Sequence, residues 1–203
     1  MKNTTNFITK AVTMIAIILI MMKPASAYAA SYNYDGVELH ENEDTSMKAS
    51  ADRCFSDFPL SVKRRFLDFG WDYALIEIGE LNDAYGKKMM PGWYCDGFTD
   101  YDNKMIYVEA RPGNINTFYH EMGHYIDLTY KGDYGDCDGL DASASFEFIQ
   151  IYREEKDAFG EYGAARINEF FAEAVSLYMS DRDACKEKAP RAYEYVSRIM
   201  EAY

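Results

Sequence analysis

Histidine is scarce in this sequence. Its 203 residues carry three, beside 21 Lys and Arg and 34 Asp and Glu. The shortage of positive charge leaves a formal net charge of −13, which argues against nucleic acid and anionic membrane surfaces as partners. Long apolar runs are missing too. Ala11 to Met22 is uncharged but too short for a comfortable membrane span, and Val196 to Tyr203 holds neither a second apolar span nor a sorting signal. There is no internal repeat and no low-complexity tract. Only four cysteines occur, Cys54, Cys95, Cys137 and Cys185, and none stands at metal-ligand spacing.

The front of the chain sets the expected compartment. Lys2 and Lys10 flank the start of the apolar run, and Pro24-Ala25-Ser26-Ala27 offers an A-x-A cut. Residues 1–27 are therefore predicted to be a signal peptide, and the remainder to be freely secreted, with no membrane contact after cleavage. Cleavage would remove Lys2, Lys10 and Lys23 and no acid, so the remainder is more acidic still. Residues 28–53 form a polar, tyrosine-rich segment, with one short strand expected around Gly36 to His40 and a flexible stretch after it. Residues 54–203 are long enough for one domain with its own core. An oxidising exterior permits disulfides, and four cysteines allow three connectivities. Pairing of Cys137 with Cys185 would staple two distant segments.

Two of the three histidines stand together in His120-Glu121-Met122-Gly123-His124. The i, i+4 spacing puts both imidazoles on one face of a helix, about one turn apart. Two neutral imidazoles so placed can each give one nitrogen to Zn2+. Glu121 leaves the helix at a different angle and can reach a water without being a ligand itself. Phe118, Met122, Tyr125, Ile126 and Leu128 fit a helix with a buried side, and Asn116 or Thr117 can cap it. Gly123 inside that helix costs roughly 1 kcal/mol against Ala, which suggests a close approach by a neighbouring backbone. Asp127 either orients a ligand histidine or is a solvated helix residue.

A catalytic zinc site needs a third protein ligand and an open fourth position. His40 is far upstream. The better candidate lies in residues 167–179, where Ile167, Phe170, Phe171, Ala174, Val175, Tyr178 and Met179 mark a largely buried helix. Glu169 and Glu173 share one face of it at i, i+4. Burying an unpaired carboxylate costs several kcal/mol, so each needs a cation, a metal or a donor. Glu169 as ligand and Glu173 as partner of a ligand histidine satisfies both.

The H-E-x-G-H run followed by Asp127, with Asn168-Glu169-Phe170-Phe171-Ala172-Glu173-Ala174, resembles the catalytic domain of anthrax lethal factor and the small secreted Pro-Pro endopeptidases of clostridia. These are zinc metallopeptidases of the gluzincin type. The resemblance covers residues 55–203 and is strongest from 117 to 180; upstream it holds only in the order of elements. It implies one Zn2+ per chain held by His120, His124 and Glu169, with Glu121 as general base and Glu173 behind the ligands. It also singles out Tyr162, seven residues before Glu169 and followed by Gly163, as the phenol that stabilises the oxyanion. Tyr152 and Tyr178 are nearby alternatives. Trp93, after Pro91-Gly92, is similar to a Gly-Trp of the Pro-Pro endopeptidases and is a candidate substrate contact.

The expected architecture is α+β, a zincin-like domain with a small mixed sheet. Pro59 to Phe69 reads as a helix stopped by Gly70, Tyr73 to Ile78 as a strand, Lys87 to Asp102 as a loop, and Met105 to Glu109 as a second strand. By analogy with zincins, that second strand is expected to be the sheet edge that pairs with substrate. Lys131 to Asp141 reads as a solvated acidic loop, lacking a calcium-loop register. A helix is expected around Phe146 to Phe159, then a turn presenting Tyr162. The expected activity is metalloendopeptidase action, by a monomer, on a protein or peptide substrate with a proline-containing or basic segment. A catalytically silent secreted binding protein would keep the fold without needing Glu121. A structural zinc site would need a fourth protein ligand, and only three are found.

Overall fold

The computed structural model describes residues 31–34, 37–89, 92–130 and 141–203. Strands β1 (Ser31–Tyr34) and β2 (Val37–His40) form an antiparallel pair, with Ser31 opposite His40. Helix α1 (Thr45–Asp57) follows, so the stretch after β2 is ordered rather than the flexible segment expected. Asp44 starts it, its Oδ1 accepting from the backbone N–H groups of Ser46 (2.8 Å) and Met47 (3.3 Å). Ala51, Cys54 and Phe55 make a narrow buried stripe at i, i+3, i+4 in an otherwise polar run. Helix α2 (Leu60–Asp68) ends as predicted: Gly70 takes φ +78° and its N–H bonds Leu67 O at 3.0 Å.

Strand β3 (Asp72–Ile76) leads through a π-helical stretch, Asn82–Gly86, to the region read as a loop. The end of that region is a strand, β4 (Gly97–Asp100). It turns through Asp100, whose carboxylate accepts from the backbone and side-chain nitrogens of Asn103, into β5 (Met105–Glu109). The sheet order is β3-β5-β4, with β5 parallel to β3 and antiparallel to β4. This corrects the sequence expectation: β5 is the central strand, and β4 is the edge. The hairpin that covers β5 is only four residues deep and half polar, so it shows no apolar alternation of its own.

Helix α3 (Ile115–Thr129) carries the first motif and begins just ahead of the expected caps, after Asn114. Thr117 Oγ1 donates to Asn114 Oδ1 at 2.6 Å instead of capping a backbone group. Helix α4 (Phe146–Glu155) is capped by Ser145 and runs into a 3-10 turn, Lys156–Phe159, as the pattern from Phe146 to Phe159 foretold. Tyr162 then sits on a short helix, α5 (Gly160–Ala165), rather than on a turn. Helix α6 (Ile167–Ser180) carries the second motif, and α7 (Arg182–Lys188) and α8 (Pro190–Ala202) close the chain.

The main core gathers Phe58, Phe66, Phe118, Tyr125, Phe148, Phe170 and Phe171 between the helices and one face of the sheet. Period-two alternation splits β5, sending Ile106 and Val108 to this core and Tyr107 to a smaller cluster with Leu39, Ile76 and Leu81. The buried face predicted for α3 is present, with Leu128 only half-buried. Gly123 does meet a neighbouring backbone: a Cβ there would lie 2.8 Å from Ala172 Cα on α6. The α3–α6 contact thus depends on a residue without a side chain.

Cys54, Cys95 and Cys185 are buried free thiols. Cys185 Sγ faces Ala174 O at 3.6 Å, so the staple through Cys185 is not formed; Cys137 lies outside the described residues. The expected signal peptide and residues 131–140 of the acidic segment also lie outside them. No helix among the described residues is long and apolar enough to cross a membrane.

Candidate metal centre and cleft

Packing α3 against α6 brings the two motifs into one cluster. The rings of His120 and His124 lie 4.8 Å apart, edge to face. Glu169 Oε2 stands 3.2 Å from His120 Nε2 and 3.4 Å from His124 Nε2. A tetrahedral ion with ligand bonds of about 2.0–2.1 Å keeps neighbouring donors about 3.3 Å apart, so these separations suit Zn2+. All three side chains are buried, and their donor atoms can be chosen within 4.8 Å of one another.

Charge points the same way. Burial pushes His120 down, but Glu169 and Glu173 outweigh it and raise the imidazole to about 10. Burial would raise the Glu169 carboxyl, yet the two imidazoles overrule it and hold it well below the usual carboxylate range. The cluster favours positive charge at its centre. A divalent cation supplies that with every donor deprotonated. His40 takes no part: it is exposed on β2, its Nδ1 2.9 Å from Glu80 Oε1.

Glu173, one turn beyond Glu169, places Oε1 3.2 Å from His120 Nδ1. A proton on Nδ1 directed at this carboxylate leaves the Nε2 lone pair facing Glu169 and the centre. Asp127 follows neither expectation. It is buried rather than solvated, and its two oxygens accept from Ser143 N (2.6 Å) and Ser143 Oγ (2.8 Å). Burial nevertheless pushes its carboxyl up to about 6. Asp127 thereby ties the end of α3 to the backbone leading into α4.

Glu121 leaves α3 toward the sheet. Its Oε2 accepts from Thr99 Oγ1 at 2.6 Å, and its Oε1 lies over Gly97, where a Cβ would come within 2.6 Å of it. Burial raises the Glu121 carboxyl, opposed by His124, His120 and Thr99. Sequence reasoning missed Thr99 and Gly97 because they fall in the stretch read as a loop. The Gly-x-Thr spacing ahead of an Asp-x-x-Asn turn was the available signal.

Tyr162 lines the cleft, with its ring 5.8 Å from His120 and 5.4 Å from Trp93. Burial, then the adjacent Glu169 carboxylate, pushes its phenol well above the usual tyrosine value, so it stays a donor. The two alternative tyrosines point elsewhere: Tyr152 OH donates to Ala164 O at 2.5 Å, and Tyr178 OH lies 3.5 Å from Ser197 Oγ. A cleft of about 350 Å³ opens beside His120, walled by Trp93, Tyr94, Asp96, Thr117, Tyr162 and Glu173. The aromatic wall is pinned from behind. Glu109, fully buried at the end of β5, accepts from Gly79 N (2.8 Å), Tyr94 OH (2.8 Å) and Arg111 Nη2 (3.0 Å). The Arg111 guanidinium also lies over the Tyr94 ring.

A small mixed sheet, a helix bearing H-E-x-x-H and a second helix bearing the glutamate define a zincin-like metallopeptidase fold. The family model described as Anthrax toxin lethal factor, N- and C-terminal domain, matches residues 104–199. Lethal factor of Bacillus anthracis is 34% identical over 95 residues, which are 44% of this chain and 12% of lethal factor. The chain therefore spans only about an eighth of that relative's length. A Pro-Pro endopeptidase of Paenibacillus alvei is 26% identical over 185 residues, 80% of each chain. The solved structure of the Pro-Pro endopeptidase PPEP-2 from Paenibacillus alvei superposes with a TM-score of 0.58 at 21% identity, covering 77% of this chain and 92% of that one. The family resemblance read from the motifs, and the fold it implied, are borne out.

Proposed function

We propose that this chain is a secreted metalloendopeptidase that holds one Zn2+ through His120, His124 and Glu169 and cleaves a protein or peptide. The observation that carries the reading is the convergence of those three donors in one cluster, with the Tyr162 ring 5.8 Å from that of His120. Zn2+, when bound, lowers the pKa of water to near neutrality and polarises the scissile carbonyl. Glu121 takes the proton of the attacking water and returns it to the leaving amine. Tyr162 donates to the carbonyl oxygen as it becomes anionic. Glu173 keeps His120 in the ligating tautomer. An extended substrate adds to the outer edge of β4, which has no strand beside it among the described residues, whereas β5 is paired on both sides.

The flat walls of Trp93 and Tyr162, and the names of the relatives, support a proline-containing substrate segment. Asp96 and Glu173 in the cleft support a basic one. The n-region, apolar run and A-x-A site in residues 1–27 support secretion, and the domain works as a monomer.

Metal analysis and a peptide-library digest test this together. Dialysed protein should hold near-stoichiometric zinc, and chelation should abolish cleavage until zinc is returned. Glu121→Gln should keep the zinc while turnover falls about 10²–10⁴-fold. A metal-free preparation that cuts as well as the loaded one would overturn the reading.

A further inference from the structure

We propose that β4 is a cradle for the general base, in which Thr99 is a positioning residue that fixes the Glu121 carboxylate and Gly97 leaves the space it occupies. The proposal rests on the reading of Glu121 as that base. Residues i and i+2 of a strand share one face, so Gly97 and Thr99 both look at α3. Thr99 is buried, and so is Glu121. The Thr99 hydroxyl has one proton and two acceptors in reach, Glu121 Oε2 at 2.6 Å and Glu121 O at 3.1 Å. The shorter contact, to the carboxylate, is the stronger, because a charged acceptor roughly doubles the strength of a hydrogen bond.

Gly97 is required for a different reason. A Cβ at this position would lie 2.6 Å from Glu121 Oε1, 2.9 Å from Glu121 Cγ and 2.5 Å from Thr117 Cγ2. Any side chain would therefore push the carboxylate or α3 itself away. Gly97 also lines the cleft beside His120. With Oε2 held by Thr99, Oε1 is the oxygen left over the cleft floor.

A glutamate side chain turns about three bonds, and a base that wanders loses its reactive geometry. Misplacement by about 1 Å can cost on the order of 10²-fold in rate. Thr99 acts on orientation and touches no substrate, so its removal should appear in kcat and leave KM nearly unmoved.

Thr99→Val keeps the shape of the side chain and deletes the hydroxyl. It should lower kcat about 10–100-fold, with unchanged zinc content. Thr99→Ser, which returns the hydroxyl, should recover most of kcat. In a Glu121→Gln background Thr99→Val should have no further effect on the residual rate, because the group it positions is already disabled. That arm uses the rate ratio within one background, so a lowered melting temperature in Thr99→Val does not blunt it. Wild-type kcat in Thr99→Val beside an inactive Glu121→Gln would overturn the cradle and leave the site reading intact. An undiminished Glu121→Gln would overturn the site reading itself. An equal loss from Thr99→Val in both backgrounds would show that Thr99 acts on the fold and not through Glu121.

Discussion

The cleft has two walls built on different principles. The helical wall, α3 against α6, is held by close packing: Met122, Ile126, Phe170, Phe171 and Val175 are fully buried, and Gly123 lets the Ala172 backbone approach. Its functional groups are the polar residues left on one face of two apolar helices. The sheet wall, β4 with the aromatic stretch before it, is held by polar contacts: Thr99 with Glu121, and Glu109 with Gly79, Tyr94 and Arg111. Packing tolerates little displacement, so the helical wall suits metal ligands. Thr99 and Glu109 are buried, but Tyr94 and Arg111 are half-exposed, and hydrogen bonds from such residues allow more motion, which suits a surface that receives a chain.

The largest expected effect strikes the helical wall. Glu169→Ala removes the third proposed ligand, and zinc should be lost with activity. Glu173→Ala removes only the support of His120, where losses of about 10–100-fold in affinity or activity are typical. Metal content of the two variants measures the difference; equal retention would mean the carboxylates have exchanged roles. Tyr162→Phe comes next, at about 10²-fold or somewhat more in kcat, with KM and zinc little changed. A wild-type rate would remove Tyr162 from the chemistry and leave the metal centre standing.

The same contrast explains what the sequence made legible. His120, His124, Glu169 and Glu173 were readable because helical period places i and i+4 together, and a carboxylate in an apolar helix demands a partner. Even the close approach at Gly123 is readable, since a helix interior penalises glycine unless space is short. Strand pairing has no such local mark. β4 is four residues long, and its edge position depends on a parallel pairing of β5 with β3 more than 30 residues away in the chain. The stretch therefore reads as a loop, β5 reads as the edge, and nothing marks Thr99. The partner of Asp127 is illegible for a related reason: Ser143 is 16 residues further along the chain, with no periodicity linking the two. Helix α1 escaped notice because its apolar stripe is three residues wide.

Gly123→Ala tests whether packing governs the helical wall. The added Cβ would meet Ala172 Cα at 2.8 Å, and backbone cannot rotate away. Overpacking of this kind costs about 1–3 kcal/mol, against roughly 1 kcal/mol gained in helix propensity. Thermal unfolding should show a net loss, and zinc affinity should fall as His120 and His124 move from Glu169. A melting temperature above wild type would show that the contact is looser than the geometry demands.

The smallest effect belongs to the sheet wall, at Tyr94. Tyr94→Phe deletes the phenol that reaches Glu109 and keeps the ring under Arg111. Glu109 retains Gly79 N–H and Arg111, so its charge stays compensated, and the loss should be on the order of 1 kcal/mol. The core does not depend on Tyr94, which is half exposed, so most of that loss falls on the stretch carrying Trp93. Fluorescence separates the two, because Trp71 is buried and Trp93 is the exposed one of the chain's two tryptophans. Acrylamide should quench Tyr94→Phe more strongly than wild type, and KM should rise several-fold with kcat and zinc content held. Unchanged quenching and unchanged KM would mean that pairing of β4 with β5 alone fixes the aromatic wall. The two walls would then differ less in rigidity than their contacts imply.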